Sequence, residues 1–499
     1  MGKKRVVVIG GGLGGLSAAI RLAADGHEVK VLEKNERAGG KLNQRSGKGF
    51  TFDTGPSILT MPWVLEKLFK SAGKDLSDYM TITRIEPGWR SFFEDGTRLD
   101  MVADIPQMLH ELRSVNPKDA SKYFDYLQYA HEMYELCKKS FYKESISGLS
   151  ELRQLHSLKE LLGFDPMRTV AEGTSRYFED KRLQQMFNFL VMYVGSSPYH
   201  APAVLSQLAY VQLGIGVHYV EGGMYNIARG MLKVLDELGA EVVTEAEVTR
   251  IVTEGKEATG VELADGSVEH ADLIVSNLEV IPAYESLLEP AVSMKKAAEL
   301  EKTFIPSVSG LVLLLGVNKK YPQLAHHNFF FANDMEQEFR QIYDEGIPAD
   351  DPTVYIGVSA KSDPSQAPEG KENLFVLTHV PPLKKGESWE KYREDYREKV
   401  IAKLERQGLT GLREAIEFEY QFIPDDLQSL YGPNGGSIYG IAADKKKNGG
   451  FKVPSKSDLY DNLYFVGGST HPGGGVPMVT LSGQLTADLI QKNLAEVKA

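Results

Sequence analysis

The sequence predicts an α/β fold entered through a glycine-rich turn, and three observations carry that reading. The chain opens with the apolar run Val6-Val7-Val8-Ile9, breaks at Gly10-Gly11-Gly12-Leu13-Gly14-Gly15, and resumes in a Ser/Ala-rich helical opening at Leu16-Ser17-Ala18-Ala19. A second short strand, Val29 to Leu32, ends on Glu33, about twenty residues beyond the glycines. Near the other end, Leu463 to Val466 again runs as a strand into glycines, Gly467-Gly468 and Gly473-Gly474-Gly475, ahead of a helical stretch from Val479 to Leu494.

Each glycine at the opening has a physical task. Gly10 allows the tight turn, Gly12 lets a pyrophosphate approach the backbone, and Gly15 lets the helix lie against the strand. Amide groups from Gly11 to Gly14, Leu13 included, then face a phosphate at the positive end of the helix dipole. Glu33 stands where a carboxylate accepts the ribose hydroxyls of an adenosine and repels a 2′-phosphate. A glycine-rich turn without function is the alternative. The preceding strand, the following helix and the acid at the right distance favour a Rossmann-like dinucleotide cradle.

Bulk properties set limits. A chain of 499 residues has room for about three domain-sized units. A formal charge of -12 and an isoelectric point near 5.5 argue against nucleic acid as a partner. The single cysteine, Cys137, excludes an internal disulfide and a cysteine metal cluster, which fits a reducing, cytoplasmic compartment. Lys3-Lys4-Arg5 before apolar residues resembles a leader, but the apolar run is short and ends in glycines, so it reads as a strand. No apolar run reaches the length of about 18 residues that suggests a membrane span.

Along the middle of the chain, Phe52-Asp53-Thr54-Gly55-Pro56 reads as a turn ahead of a helix from Pro62 to Ala72, and residues 85–180 are charged, Tyr-rich and helical in pattern. Leu183 to Val220 contains no Lys, Arg, Asp or Glu but holds Phe187, Phe189, Tyr193, Tyr199, Tyr210 and Tyr219. Such a stretch fills a core, lines a tunnel or dips into a bilayer face. Asn226 to Leu238 is an amphipathic helix, and short strands follow, Val248 to Val252 among them, with a hairpin turn at Asp265-Gly266. Ser309 to Gly316 is a buried strand opening a second domain. The adjacent His326 and His327 point to opposite sides of a strand and are read as structural, with no metal site. Tyr392 to Gln407 reads as a solvated helix, and Lys445-Lys446-Lys447 as an exposed basic loop able to touch anionic lipid.

Gly39-Gly40-Lys41, just beyond Glu33, is similar to the flavin-binding signature of the amine oxidase and phytoene desaturase superfamily. Most members carry Arg where this chain has Lys41, which offers a point charge in place of a bidentate fork. The Phe-Asp-x-Gly-Pro element and the run from Gly467 to Met478 resemble further flavin motifs of carotenoid desaturases. The resemblance covers essentially the whole chain. It implies an FAD-binding domain of the amine oxidase/phytoene desaturase type assembled from residues 1–75, 216–300 and 455–499, a helical or tunnel region at 76–215, and an inserted mixed-sheet substrate domain at 301–454. It places Gly55 near the flavin, Val248 at the adenine, and Gly467, Gly475, Val476 and Met478 at the flavin ring.

Within the family, Gly55 to Pro62, Trp89 to Phe93, Tyr193 to Ser197, Ala201 to Ser206 and Ile438 to Lys447 resemble the oxygenases that oxidise a terminal methyl of C30 carotenoids such as 4,4′-diaponeurosporene. Gly450 to Pro454 departs from the Phe-Arg-Pro triplet common in desaturases. The implied function is FAD-dependent conversion of that methyl to an aldehyde, with an apolar polyene as substrate and peripheral attachment to the cell membrane. The alternatives are a carotenoid desaturase and a non-catalytic prenyl-binding escort of related fold. The resemblance gives no catalytic side chain. Phe329, Phe330, Phe331 and the tyrosines of the charge-free window are candidates for a bulky stop at the end of the tunnel.

Overall fold

A computed structural model describes residues 2–496. Five parallel strands, in the order Leu463–Phe465, Leu273–Ser276, Arg5–Ile9, Glu28–Leu32 and Glu241–Val243, form the first sheet. Both of its faces are covered, which is why Val6 to Ile9 are all apolar. Val6 and Val8 enter the core beneath the helix Leu13–Ala24, whereas Val7 and Ile9 enter the opposite core beside Ile274 and Phe465. The C-terminal helix Val476–Glu496 lies against Leu13–Ala24 so closely that a Cβ at Gly483 would stand 2.4 Å from the Gly14 carbonyl oxygen. Ser17 Oγ donates to the Thr480 carbonyl at 2.6 Å across the same contact. The chain's two ends are thus one structural unit.

The second sheet has seven strands, ordered Ile416–Phe422, Ser309–Val317, Glu372–Val380, Val354–Gly357, His327–Phe330, Trp89–Phe92 and Arg98–Met101. All its pairs are antiparallel except His327–Phe330 with Trp89–Phe92. Ser309–Val317 is buried at every position because both faces are packed. Leu311, Leu313 and Leu315 meet the helix Arg393–Arg406, while Val312 and Leu314 face the aromatic core beneath the helical cap.

Several expectations change in the folded chain. Residues 85–180, helical in pattern, also carry the strands Trp89–Phe92 and Arg98–Met101, so part of the 76–215 segment completes the sheet of the second domain. These strands are short, only Arg98–Met101 being at the edge, and their charged residues Arg90 and Asp100 pair at 2.6 Å, which hides the period-two pattern. The helix Arg393–Arg406 is not wholly solvated: Tyr396, Val400, Ile401 and Leu404 are buried against the sheet. His326 and His327 do not face apart. Their ring centroids are 4.3 Å apart, because His326 precedes the strand and escapes its alternation. Burial pulls the His326 pKa down to about 3, and that of His327 falls as well. No cluster of His, Cys, Asp and Glu suited to a metal ion occurs among the described residues.

Candidate functional site

A single cavity of about 760 Å³ begins at the glycine turn and runs into the aromatic core of the second domain. Gly10, with φ +91°, turns the chain out of the first strand, and its amide donates to the Leu32 carbonyl at 2.8 Å. Gly12 caps the helix with no side-chain hydrogen bond of its own, which leaves the first-turn amides to an anion. A Cβ on Gly15 would sit 2.2 Å from the Gly10 carbonyl oxygen, so only glycine lets the helix start there. Gly10, Gly12, Leu13 and Gly14 line the cavity, whereas Gly11 and Gly15 lie behind it.

Glu33 is buried and lines the cavity. Its Oε2 accepts the Gly11 amide at 2.8 Å, and its Oε1 accepts the Asn35 amide at 2.9 Å and Asn35 Nδ2 at 2.8 Å. A carboxylate offers about four acceptor sites, so about one is open toward the cavity. Val248 opens the strand Val248–Glu254 and lines the same end. Gly39 and Gly40 pass directly over the turn, with the Gly39 amide on the Gly11 carbonyl at 2.8 Å. Gly55 crosses Lys41 so tightly that a Cβ there would be 2.0 Å from the Lys41 carbonyl oxygen. All four line the cavity.

Lys41 also lines it, but its ammonium donates to the carbonyls of Ser437 at 2.7 Å and Ile438 at 3.0 Å, and burial lowers its pKa. Opposite stands Glu279, whose pKa is raised by burial and whose carboxylate accepts from Ser437 Oγ at 3.1 Å and the Asn434 amide at 3.2 Å. Sequence reasoning missed Glu279 and Asn277. A Cβ at Gly12 or Gly14 would lie 2.5 Å or 2.7 Å from the Asn277 side chain, so this residue sets the width of the cradle. The available signal was their position: Asn277 follows directly on the strand Leu273–Ser276 and Glu279 comes two residues later, at the end of the sheet where such folds bind ligands.

Gly467, Gly475, Val476 and Met478 line the middle of the cavity, where the helix Val476–Glu496 begins. Gly467 and Gly475 have φ +108° and +99°. Beyond this point the walls are Trp89, Phe189, Tyr193, Phe329, Tyr355 and Phe375, with His379 and Tyr439. Among the described residues the only carboxylates lining the cavity, Glu33, Glu247 and Glu279, are grouped with the glycine cradle and not with the aromatic wall. Burial pulls the His379 pKa down to about 3 and holds the Tyr355 and Tyr439 phenols protonated. The phenol of Tyr355 is engaged with Ser57 Oγ at 2.7 Å and His327 Nδ1 at 2.8 Å. The aromatic wall is therefore uncharged at neutral pH and suited to holding an extended hydrocarbon, while the lining beside Phe451 also holds Lys452, a buried amine whose pKa burial lowers to about 7.

Of the candidates for a tunnel stop, Phe329 and Tyr193 line the cavity. Phe330 points to the opposite face of the sheet, stacked on Phe92 at 4.5 Å, because neighbours on a strand alternate. Phe331 stacks on Phe93 at 5.1 Å behind the wall, and Tyr199, Tyr210 and Tyr219 also lie outside the lining. Trp89 was not foreseen as a wall residue, and it meets Phe329 edge to face at 4.3 Å. In the window Leu183 to Val220 only Gly214 is exposed, so the stretch is core and tunnel wall and not a bilayer face.

The comparisons agree with this geometry. The chain matches the flavin containing amine oxidoreductase family over residues 13–491. It is 46% identical over 491 residues to a 4,4′-diaponeurosporene oxygenase of Staphylococcus haemolyticus (strain JCSC1435), covering 98% of this chain and 97% of that protein. It is 46% identical over 496 residues to a 4,4′-diapolycopene oxygenase of a Methylomonas species, covering 98% and 99%. Among solved structures, an oxidoreductase from Methanosarcina mazei superposes with a TM-score of 0.65 at 20% identity, covering 98% of this chain and 100% of that one, a likeness of fold. By its glycine cradle, its closing helix and this match along nearly its whole length, the chain belongs to the flavin-containing amine oxidoreductase family.

Proposed function

We propose that the protein oxidises the terminal methyl group of an acyclic C30 carotenoid, of the 4,4′-diaponeurosporene or 4,4′-diapolycopene type, to the aldehyde, with FAD as its cofactor. The observation that carries this reading is the continuity of one cavity from the glycine cradle to an aromatic end without carboxylates. The relatives at 46% identity bear names for this kind of reaction. Membership of an oxidoreductase family removes the support for a non-catalytic escort.

The residues present fit FAD. Gly12 and Gly14 leave space that a Cβ would take, and Glu33 offers an acceptor toward the adenosine end. Gly12, Leu13 and Gly14 would hold the pyrophosphate with Gly40 close above them, Val248 the adenine, and the amides after Gly475 the ring. When bound, FAD would supply the two-electron acceptor that no side chain provides, used in two successive oxidations of the same carbon, with the oxygen atom drawn from dioxygen or water. The protein's own part is placement and exclusion of water. Apolar walls take up the polyene. Oxidation at an allylic methyl spreads positive charge along the conjugated chain, so the site needs no carboxylate of its own to balance it. Trp89, Phe329 and Phe375 line the cavity and are buried at 1%, 5% and 7% exposure, and by closing its far end they would select the chain terminus. A desaturase on this scaffold would have to let the polyene pass that wall.

The substrate also bears on where the protein works. A polyene resides in the bilayer, and no helix among the described residues is long and apolar enough to cross a membrane. Attachment to the membrane surface from the cytoplasmic side is therefore part of the proposal. Supplying 4,4′-diaponeurosporene in cells that express the protein tests the function: a product that has gained oxygen supports it, and one that has only lost two hydrogens makes the protein a desaturase.

A further inference from the structure

With the charge-free window inside the protein, the apolar side chains that do face solvent lie elsewhere. Leu149, Leu158, Leu162 and Met167 are 48%, 75%, 65% and 78% exposed. They occupy the short helices Leu149–Leu155 and Leu158–Gly163 and the loop that follows. Single exposed leucines are ordinary, but four large apolar side chains on one short segment form a patch.

The patch borders the cavity. Phe164, on the same segment, meets Phe141 edge to face at 6.0 Å, and Phe141 stacks on Phe451 at 6.2 Å; Phe141 and Phe451 both line the cavity. Lys445 Nζ donates to the Met167 carbonyl and ties the patch to the loop 444–450, whose exposed Gly449 is also part of the cavity lining. Charge is complementary to an anionic surface although the chain as a whole is at -12. Lys159, Lys446 and Lys447 are exposed and have no salt-bridge partner among the described residues; of the acids on the same segments, Glu160 and Asp165 are held by Lys139 at 2.7 Å and Arg168 at 2.9 Å, while Glu151 accepts from Ser147 and Asp444 from the amides of Lys446 and Lys447.

We propose that Leu149 to Met167, with Lys445 to Lys447, seats the protein on an anionic lipid bilayer, with the cavity mouth at Gly449 turned toward the hydrocarbon. The leucines and Met167 would enter the boundary between headgroups and acyl chains, and the lysines would stay among the lipid phosphates. The inference rests on the reading of the cavity as the site of an apolar polyene, because that substrate gives the mouth a reason to face a bilayer.

Sedimentation of the flavin-loaded protein with vesicles of phosphatidylglycerol and phosphatidylcholine, and with vesicles of phosphatidylcholine alone, tests the proposal. Leu158→Ser/Leu162→Ser/Met167→Ser should weaken binding to the mixed vesicles by about tenfold or more. Lys446→Glu/Lys447→Glu should remove the preference for the anionic vesicles and leave binding to phosphatidylcholine as it was. None of these residues lines the cavity, so both variants should keep the wild-type flavin spectrum and oxidise detergent-dispersed 4,4′-diaponeurosporene at the wild-type rate. The proposal is overturned by a wild type that binds neither vesicle, or by a triple variant that binds as tightly as wild type. Self-association of the wild type without vesicles, lost in the triple variant, also overturns it in favour of a protein interface. Patch-dependent binding by a protein that oxidises no dispersed polyene would support the surface and refute the substrate.

Discussion

The carboxylate of Glu33 accepts the amide of Gly11 at 2.8 Å, so the acid that ends the second strand is fastened to the turn that ends the first. One residue thereby shapes the cradle and, under the proposed function, would offer an acceptor to the adenosine end of FAD.

Replacing it should cost cofactor. Glu33→Arg removes the acceptor, forfeits contacts worth about 1.5–3 kcal/mol, and should raise the flavin dissociation constant by about tenfold or more. Glu33→Gln should lose less, because its amide oxygen still accepts the Gly11 donor. Equilibrium dialysis measures both, and stoichiometric flavin in Glu33→Arg would refute the role.

Gly483→Ala should lower stability, because it presses the last helix against the back of the glycine cradle. Its Cβ would stand 2.4 Å from the Gly14 carbonyl oxygen and 2.7 Å from the Ala18 amide, both backbone atoms, so the first and last helices must separate. The expected loss is about 1–3 kcal/mol, read as a fall in Tm. A wild-type Tm would mean that the two helices have slack.

Lys452 carries a pH dependence. It is buried, donates to the Ile441 carbonyl, and has its pKa lowered by burial from 10.5 to about 7. Below that value the ammonium is charged in both the folded and unfolded chain, and the burial penalty is present in full. Between it and 10.5 the unfolded chain binds more protons, so this residue makes stability rise with pH. Lys452→Met should flatten that rise and be most favourable, relative to wild type, in acid. Losing the donor to Ile441 adds a cost that does not depend on pH. Urea titrations at about pH 6 and about pH 9 check the sign; a difference between variant and wild type that is the same at both would count against it.

Phe329→Leu should enlarge the closed end of the cavity at a stability cost of about 1–2 kcal/mol. The expected outcome is a product mixture in which internal desaturation appears beside terminal oxygenation, measured by chromatography and product mass. An unchanged product would assign the stop to Trp89 or Phe375 alone.

The sequence by itself determined the glycine turn and the strands and helix around it, because that part is built from local rules. A strand that ends in Gly10 and Gly12, an acid at Glu33 and a closing helix, expected from Val479 and found from Val476, are each readable within a few residues. The second half was legible where both faces of a strand are buried, as in Ser309–Val317, and hidden where strands are short and charged, as in Trp89–Phe92. Only the tertiary structure decided which aromatic residues wall the cavity. Phe329 and Phe330 are neighbours in sequence, yet alternation sends one into the cavity and the other into the core behind it. It also decided that the uncharged window is interior while Leu158, Leu162 and Met167, set among charged residues, face the solvent. Composition reports how much a segment gains by leaving water, but which surface covers it depends on contacts made from elements far away in the chain.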